Sequence, residues 1–422
     1  MTKNRLLLAI LLSALILRLI FIFAAANNLP HNDSYQHERS YETIAKNLIA
    51  GQGYQGSGFI IGLTAEQKAA RPPVYPIFLA LCYLIFGQSL LYVQIIQALL
   101  SVLSVLLIYL IGRKVFDEQT GLVAGAISAF YPFLIFLTGT VVTETVFILF
   151  FLVFIYLLVQ LWPANGIAGL QTSRPEPGPN PVNQAQGSRN TWKWAILVGI
   201  ANGLAILTQS SFILFFVLLA PFGLIKKQSR LSYCLLVAAT LTMLCPWVIR
   251  NYAVFNRVIF TSTQYGLALY EANSPRATGR PDIDNLRFPP EIINLPEAER
   301  EDAIKKMALQ WIKENPGKFA RLALLKFCYF WNPLPNCADY RSLKYILISI
   351  FSYGTVLILA FWQIIRMRKS WGRIGIFLLV ILYFSLIHLV YVSSVRYRAP
   401  VDALLIILAA NNIARFIPKR NK

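Results

Sequence analysis

Residues Leu6 to Ala26 read LLLAILLSALILRLIFIFAAA, an almost wholly apolar run that is long enough to cross a hydrocarbon layer about 30 Å thick as a helix. Its apolar part is too long for a signal peptide. Similar runs recur along the 422 residues, of which 56% are hydrophobic and only 14% are charged. The mean hydropathy of +0.55 exceeds what a soluble domain of this size needs. The sequence therefore predicts an all-α polytopic membrane protein.

Hydropathy along the chain predicts about ten transmembrane helices, because backbone groups inside lipid must be hydrogen-bonded within their own segment. A further apolar run at 74–86 begins among prolines and is too short to cross, so it is predicted to be a juxtamembrane or re-entrant helix. The predicted spans are residues 6–26, 89–111, 121–140, 143–162, 193–210, 211–225, 231–249, 343–365, 374–392 and 400–416.

The basic charge of the chain predicts its orientation in the membrane. In a soluble protein a formal charge of +20 would suggest a nucleic-acid partner, but here much of it lies in short clusters beside apolar runs, so no nucleic acid is predicted. The positive-inside rule places these clusters, and with them both termini, in the cytoplasm. The clusters are Arg113-Lys114, Lys226-Lys227 with Arg230, Arg366 to Arg373, and Arg415 to Lys422.

The chain changes sides at each predicted span. Counting from the cytoplasmic N-terminus therefore places two long polar segments outside the membrane, residues 27–88 and 250–342. The second contains two amphipathic stretches, Leu295 to Trp311 and Phe319 to Trp331, which are predicted to be helices on the membrane surface. Residues 163–192 are rich in Pro, Gly, Ser, Asn and Gln, cannot build a core, and are predicted to form a flexible cytoplasmic loop.

Most ionisable residues outside the basic clusters lie at the predicted outer ends of helices and in the outer segments. Carboxylates there can take a proton and guanidinium groups can hold a phosphate. Each also has an ordinary interpretation, such as a solvated loop carboxylate, a carboxylate at a helix N-terminus or an interfacial arginine. A transporter would instead need ionisable or helix-breaking residues near the middle of several spans. The residues are Asp33, His37, Glu38, Arg71, Glu144, Arg250, Arg396 and Arg398.

Short motifs along nearly the whole chain resemble the GT-C glycosyltransferases, specifically the bacterial branch related to protein O-mannosyltransferases and lipid A aminoarabinose transferases. Each motif is weak alone, and their shared order and predicted sidedness make the resemblance specific. The motifs are Tyr41 to Leu48 followed by Gly51 to Tyr54, Arg71 to Pro76, Tyr131-Pro132, Thr143-Glu144, Pro246 to Tyr252, Glu271 to Asn273, Asn315-Pro316 and Arg396 to Pro400.

The resemblance implies a single GT-C-like domain over residues 1–422 in a bacterial inner membrane, with its active site facing outside. It implies an inverting hexosyl- or pentosyltransferase that moves a sugar from a polyprenyl-phosphate carrier to a hydroxyl group of a glycan, lipid or protein acceptor. The alternatives are a lipid-linked glycan flippase or transporter, and a GT-C-like protein that has lost catalysis.

The resemblance also implies that an aspartate in the first outer loop is the general base. Relatives usually carry an Asp-Glu pair before the loop tyrosine, whereas this chain has His37-Glu38 before Tyr41 and its nearest aspartate is Asp33. The base is therefore left open between Asp33 and Glu38. Relatives also often carry Arg-Pro where this chain has Gln209-Ser210.

The other polar residues receive supporting roles. Arg71, Arg250, Arg396 and Arg398 are predicted to bind the donor phosphate. No cofactor is predicted with certainty, and a divalent metal such as Mg²⁺ or Mn²⁺ is left open. The residues predicted to orient the acceptor or a metal are Glu144, Tyr75 and His37.

Overall fold

The computed structural model describes residues 3–24, 33–56, 67–162, 191–224, 227–282, 286–336 and 340–418, with only the backbone described at 33–38 and 227–228. This part of the chain is α-helical, apart from turns and one isolated bridge between Gly56 and Gln67. Its helices are α1 (Lys3–Ala24), α2 (Asp33–Ile49), α3 (Val74–Phe86), α4 (Leu90–Val115), α5 (Glu118–Phe130), α6 (Pro132–Phe136), α7 (Glu144–Leu161), α8 (Thr191–Thr208), α9 (Phe215–Leu218), α10 (Ala220–Leu224), α11 (Lys227–Phe255), α12 (Tyr265–Ala272), α13 (Pro290–Ile293), α14 (Glu297–Glu314), α15 (Pro316–Trp331), α16 (Leu343–Ser349), α17 (Thr355–Arg366), α18 (Trp371–Val390) and α19 (Val395–Ala414).

The prediction of an all-α membrane protein is confirmed, and its number of spans is approximate. In the described ranges, seven helical segments are long and apolar enough to cross a membrane. An eighth is obtained if α5 and the segment Pro132–Gly139 count as one span with a 55° bend, where ring closure at Pro132 removes a backbone donor. The seven are Lys3–Ala24, Leu90–Val115, Glu144–Leu161, Thr191–Thr208, Ser229–Phe255, Leu343–Arg366 and Arg368–Val390.

The predicted span at 211–225 is wrong as a continuous helix. A 3-10 turn at Ser210–Phe212 and the short helices α9 and α10 replace it. Phe212 and Phe215 are stacked with ring centroids 4.9 Å apart, and both are fully buried. Their rings pack against Phe154 of α7, so the segment turns into the bundle rather than running past it. Burying these aromatic groups is favourable enough to offset the broken helical hydrogen bonds.

The predicted last span, 400–416, belongs to α19, which is surrounded by other helices. Nearly every residue from Arg398 to Asn412 is buried, on all faces of the helix. A helix that is apolar all round is typical of a bundle centre. It packs against α5, α17 and α18, while α4 packs against α1, α5 and α7. The central position of α19 brings the first turn of this helix to the candidate site described below.

Several of the basic clusters that the sequence places on one side lie together at one end of the bundle. Arg373, in the first turn of α18, donates hydrogen bonds to the carbonyl oxygens of Val115 and Phe116 at the end of α4. Arg415, after α19, is near enough to Arg366 and Arg373 for their charges to interact. Lys226 and residues 419–422 lie outside the described residues. The cytoplasmic location of this end stays a prediction.

The polar segments are helical where they are described. The short helix predicted at 74–86 is α3, and the two amphipathic helices predicted in 250–342 are α14 and α15. Pro296 immediately precedes α14, as expected for a helix start. Of the predicted loop 163–192, residues 163–190 lie outside the described residues.

Candidate active site

Two helix N-termini meet at the end of the bundle opposite the basic clusters. Helix α7 begins at Glu144, and α19 begins beside Ser394, whose hydroxyl accepts a hydrogen bond from the Arg396 backbone amide. The Nε and Nη2 atoms of Arg396 both lie 2.9 Å from Oε1 of Glu144. Positive helix dipole ends and a guanidinium group give this region the electrostatics of an anion site.

The Glu144 carboxylate is held by only one of its oxygens. The residue is 2% exposed, and its Oε2 has no hydrogen-bond partner within the described part of the chain. Next to it, Thr143 donates a hydrogen bond of 2.9 Å to Oε1 of Gln209. This neutral amide occupies the position where relatives often carry an arginine, so the Thr143 hydroxyl has a fixed direction at the edge of the site.

Arg71 lies in the same cluster. Its guanidinium is 4.6 Å from the centre of the Tyr41 ring, in a cation–π contact, and the residue is 8% exposed. Burial lowers the pKa of Arg71, and the charge of Arg396 acts in the same direction. Burial likewise raises the pKa of Tyr41, and the charges of Arg71, Glu144 and Arg396 all reach its phenol group. These four residues therefore form one electrostatic unit, which we call the Arg71 cluster.

The predicted residue Tyr75 packs against Tyr41 of this cluster. It is fully buried, and its hydroxyl donates a hydrogen bond of 2.9 Å to Oε1 of Gln97 in α4. Its ring meets the Tyr41 ring edge-on, with centroids 5.0 Å apart. Tyr75 thus fixes the ring on which Arg71 lies.

Arg250 contacts backbone rather than the cluster. Its Nη1 donates hydrogen bonds to the carbonyl oxygen of Lys68 and to Oδ1 of Asn251, and its Nη2 to the carbonyl oxygen of Tyr54. The guanidinium also lies over the ring of Trp247, 5.0 Å from its centroid. Arg250 therefore ties the end of α11 to the segment that leads to Arg71.

Arg398 lies two residues after Arg396 in α19, but its side chain contacts different partners. Its Nε donates to Oδ1 of Asp402 at 3.0 Å, one turn further along α19, and its Nη1 donates to the carbonyl oxygens of Phe330 and Asn332. The Arg398 and Asp402 side chains are 3% and 0% exposed. Tyr131 donates to the second oxygen of Asp402. Arg398 and Asp402 thus form a buried ion pair that connects α19 to the end of α15.

The three residues of the predicted base region lie at the start of α2. The backbone of Asp33, His37 and Glu38 is helical, and the helix continues to Ile49. Their side chains lie outside the described residues. Because Tyr41 belongs to the same helix, α2 leads directly to the Arg71 cluster.

Sequence reasoning missed several residues that the structure brings to the site. Asp402 carries a signal, because a carboxylate four residues after Arg398 in a helix is placed to pair with it. Tyr41 and Tyr397 occur in the recognised motifs without being assigned a role. Glu297 carries no signal, because an acidic residue in the first turn of a helix is ordinary. Its contacts with the Arg71 segment are described below.

In the described part of the chain, no group of three or more His, Cys, Asp and Glu residues is placed to hold a metal ion. At the Arg71 cluster, the described residues supply one carboxylate oxygen that has no hydrogen-bond partner, Oε2 of Glu144. One carboxylate oxygen is not a ligand set for Mg²⁺ or Mn²⁺, which take several oxygen ligands. The described residues alone therefore do not fit a metal centre.

Comparison with known proteins shows what the chain is similar to. The family model of the dolichyl-phosphate-mannose-protein mannosyltransferases matches residues 70–171, which include Arg71 and Glu144. No curated protein sequence matches the chain. The structure of the archaeal oligosaccharyltransferase AglB from Archaeoglobus fulgidus, with an inhibitory peptide and a dolichol-phosphate, aligns with a TM-score of 0.56 at 15% identity. The alignment covers 100% of this chain and 53% of that one.

A second structure of the Archaeoglobus fulgidus oligosaccharyltransferase, in complex with Zn and sulfate, aligns with a TM-score of 0.54 at 15% identity. It covers 96% of this chain and 48% of the archaeal chain, so this protein spans about half the length of the archaeal enzymes. The chain thus has the fold of these archaeal oligosaccharyltransferase structures over the aligned part. The match at 70–171 relates it to the O-mannosyltransferases, which confirms the resemblance inferred from sequence.

Proposed function

We propose that this protein is an inverting glycosyltransferase that moves a sugar from a polyprenyl-phosphate carrier to an acceptor hydroxyl, at the membrane face where the Arg71 cluster lies. The observation that carries the proposal is the Arg71 cluster, in which the Arg71 guanidinium lies over the Tyr41 ring and the Arg396 guanidinium contacts Glu144 at the start of α7. Two guanidinium groups beside two helix N-termini can donate charge-assisted hydrogen bonds to an anion such as a phosphate. The dolichol-phosphate in the archaeal AglB structure supports a carrier of this class.

In this proposal the reaction is a direct displacement. A carboxylate of α2, Asp33 or Glu38, removes the proton of the acceptor hydroxyl, whose oxygen attacks the anomeric carbon of the sugar. The bond from that carbon to the phosphate oxygen breaks, the configuration inverts, and the polyprenyl phosphate leaves with the bonding electrons. Arg71 and Arg396 stabilise the negative charge that grows on the leaving phosphate. Glu144, whose Oε2 has no hydrogen-bond partner among the described residues, accepts a hydrogen bond from a substrate hydroxyl.

The other two predicted phosphate contacts take positioning roles in this proposal. Arg250 and Arg398 have their guanidinium groups engaged with backbone carbonyl oxygens, and Arg398 also with Asp402. We propose that Arg250 fixes the segment leading to Arg71 and that Arg398 fixes α19. His37 and Tyr75 contribute, respectively, to the surroundings of the base and to the support of Tyr41.

The location and partners extend the same proposal. A bacterial inner membrane with both termini in the cytoplasm places the basic end of the bundle inside and the Arg71 cluster outside. The carrier would approach from the lipid side, and a glycan, lipid or protein acceptor from the aqueous side. Whether a divalent metal such as Mg²⁺ or Mn²⁺ takes part is tested in the transfer assay below.

A transfer assay tests the proposal. The purified full-length protein is incubated with a panel of polyprenyl-phosphate-linked hexoses and pentoses and with glycan, lipid and peptide acceptors, with and without Mg²⁺ or Mn²⁺. We expect one donor to be consumed with release of polyprenyl phosphate, and Asp33→Asn or Glu38→Gln to abolish the release while Lys46→Gln, on the same helix, does not. If both carboxylate variants transfer at the wild-type rate, the assignment of the base is wrong.

The same preparation distinguishes the alternative functions. A flippase or transporter would move the lipid-linked sugar across a vesicle bilayer without consuming it, and a GT-C-like protein without catalysis would bind the carrier and do neither. The first alternative needs a polar path through the spans. Arg18, the charged residue inside the first span, instead donates hydrogen bonds to Ser101, Ala14, Ala129 and Ser128 within the bundle.

A further inference from the structure

The segment that carries Arg71 is fixed through its backbone. This segment, residues 67–72, is called the Arg71 segment here. Ala69 and Ala70 are buried, and the hydroxyl of Tyr54 lies 2.8 and 3.1 Å from the carbonyl oxygens of Arg71 and Pro72. The direction of the Arg71 side chain therefore depends on contacts that hold this backbone, because residues 67–73 form no helix.

The strongest of these contacts come from one carboxylate. Oε2 of Glu297 accepts a hydrogen bond of 2.5 Å from the amide of Lys68, and Oε1 accepts one of 3.0 Å from the amide of Ala69. The hydroxyl of Thr263 donates to the same Oε1. Hydrogen bonds to an ionised acceptor are stronger than those between neutral groups. Glu297 thus binds two consecutive amides that precede Arg71.

The opposite edge of the same backbone is held by two further groups. The amide of Thr263 donates a hydrogen bond of 2.8 Å to the carbonyl oxygen of Ala69, and Arg250 donates one of 2.6 Å to that of Lys68. The amide of Lys68 thus meets a carboxylate, and its carbonyl oxygen meets a guanidinium group. The second polar segment, 250–342, supplies all three groups.

Glu297 is itself rigidly placed. It is the first residue of α14, directly after Pro296, whose ring fixes one backbone angle. Arg300, on the next turn, donates hydrogen bonds to the carbonyl oxygens of Ile293 and Leu295 and so closes the turn that leads into the helix. A carboxylate on a fixed helix start is suited to set the position of a segment that forms no helix of its own.

We propose that Glu297 is the positioning residue of Arg71: it couples α14 of the second polar segment to the carrier-phosphate site in the first. The inference rests on the proposed function, in which Arg71 binds the donor phosphate. Without the Glu297 carboxylate, the amides of Lys68 and Ala69 lose their acceptor, the Arg71 segment shifts, and the guanidinium is no longer held above Tyr41.

A double-mutant cycle tests this coupling. The affinity of the purified full chain for undecaprenyl phosphate, the part common to any undecaprenyl-linked donor, is measured for wild type, Glu297→Ala, Arg71→Ala and the double variant. We expect Glu297→Ala to weaken binding about tenfold in the wild-type background and less than about twofold in the Arg71→Ala background. A purely structural role would lower the affinity equally in both backgrounds.

Two further variants complete the experiment. Glu299→Ala removes an exposed carboxylate from the same helical turn, and we expect it to leave the affinity unchanged. Glu297→Gln keeps one acceptor oxygen and should lie between wild type and Glu297→Ala. Should Glu297→Ala not fold, as judged by size-exclusion chromatography in detergent, Glu297→Gln takes its place in the cycle.

The outcomes separate this inference from the proposed function. If Arg71→Ala weakens binding but Glu297→Ala has no effect, or has the same effect in both backgrounds, the positioning role of Glu297 is overturned and the phosphate role of Arg71 stands. If Arg71→Ala binds undecaprenyl phosphate as tightly as wild type, the phosphate role falls, and the inference falls with it.

Discussion

Glu144 and Arg396 are 252 positions apart in the chain, yet two nitrogen atoms of the Arg396 guanidinium lie 2.9 Å from a single oxygen of the Glu144 carboxylate. The other oxygen, Oε2, is buried and has no hydrogen-bond partner in the ranges that the structure describes. A buried acceptor without a donor costs free energy, and such costs are often retained where a ligand supplies the missing group. A substrate hydroxyl would meet this need.

Glu144→Gln should separate carrier binding from transfer. The variant keeps the shape of the side chain but removes a negative charge near the phosphate, so undecaprenyl phosphate should bind about fivefold more tightly. Transfer should fall about 10²-fold, because the substrate hydroxyl loses a charged acceptor. Both are measured on the purified protein with the active donor. Glu118→Gln, at the opposite end of the bundle, is the control, and equal losses of binding and transfer in Glu144→Gln would contradict the assignment.

Arg398→Met should lower stability by about 3 kcal/mol, because it leaves the buried Asp402 without its charged partner. The double variant Arg398→Met/Asp402→Leu removes both charges, and we expect it to recover most of that loss. Thermal unfolding in detergent measures both effects. Binding of undecaprenyl phosphate by the double variant should match wild type. A folded double variant that no longer binds the carrier would instead support the phosphate contact predicted for Arg398 from sequence.

The contact between α12 and α14 should weaken as the pH rises. Burial raises the pKa of Glu301, whose carboxylate accepts hydrogen bonds from the amides of Gly266 and Leu267, from 4.5 to about 7. Between these values the folded protein binds the proton more tightly than the unfolded chain does. Stability should therefore fall from about pH 4.5 to pH 7, by about 1–3 kcal/mol.

Glu301→Gln isolates this effect. The amide oxygen still accepts from Gly266 but has no charge to desolvate, so the variant should unfold at a higher temperature than wild type at pH 8 and at a similar temperature at pH 5. The measurement is the melting temperature of both proteins at four pH values from 5 to 8. Glu299→Gln, on the exposed side of α14, should follow the wild-type curve. Parallel curves for Glu301→Gln and wild type would rule out the titration of this carboxyl.

The packing of α8 against α11 depends on Gly199. A Cβ atom there would lie 2.4 Å from the carbonyl oxygen of Leu236, a backbone atom that cannot turn aside. Gly199→Ala should therefore cost about 1–3 kcal/mol of stability. Gly317→Ala is the matched control, because nothing lies within 4 Å of its Cβ position in α15 and the substitution should stabilise by about 0.5 kcal/mol. If Gly199→Ala has the same melting temperature as Gly317→Ala, the two helices have room to separate.

Most of the helices could be predicted because hydropathy acts within one segment at a time, whereas their orientation in the membrane stays a prediction. Sequence also gathers Glu144 and Arg396 at one end of the bundle, since both follow from where spans begin. The failure at 211–225 has the opposite cause. Its turn is stabilised by ring contacts of Phe212 with α7 and α18, and no periodicity within the segment reports contacts with distant helices.

The roles of the individual arginines could not be predicted in the same way. Arg250 and Arg398 donate to carbonyl oxygens of Lys68, Tyr54, Phe330 and Asn332, and every residue has a carbonyl oxygen, so these partners leave no trace in the sequence. Arg396 differs because its partner is a carboxylate on a distant helix, that of Glu144 at the start of α7. The choice between Asp33 and Glu38 stays open for another reason, because the two lie five positions apart on one helix and their side chains lie outside the described residues.

The central position of α19 has a consequence for how the protein is made. This helix follows all the other described helices in the chain, and they surround it on every face. During synthesis the earlier helices must therefore enter the membrane before the helix that fills their centre. The Glu144 carboxylate has no Arg396 partner until α19 is inserted. In the proposed function, a nascent chain without α19 would therefore lack Arg396, one of the two guanidinium groups assigned to the carrier phosphate.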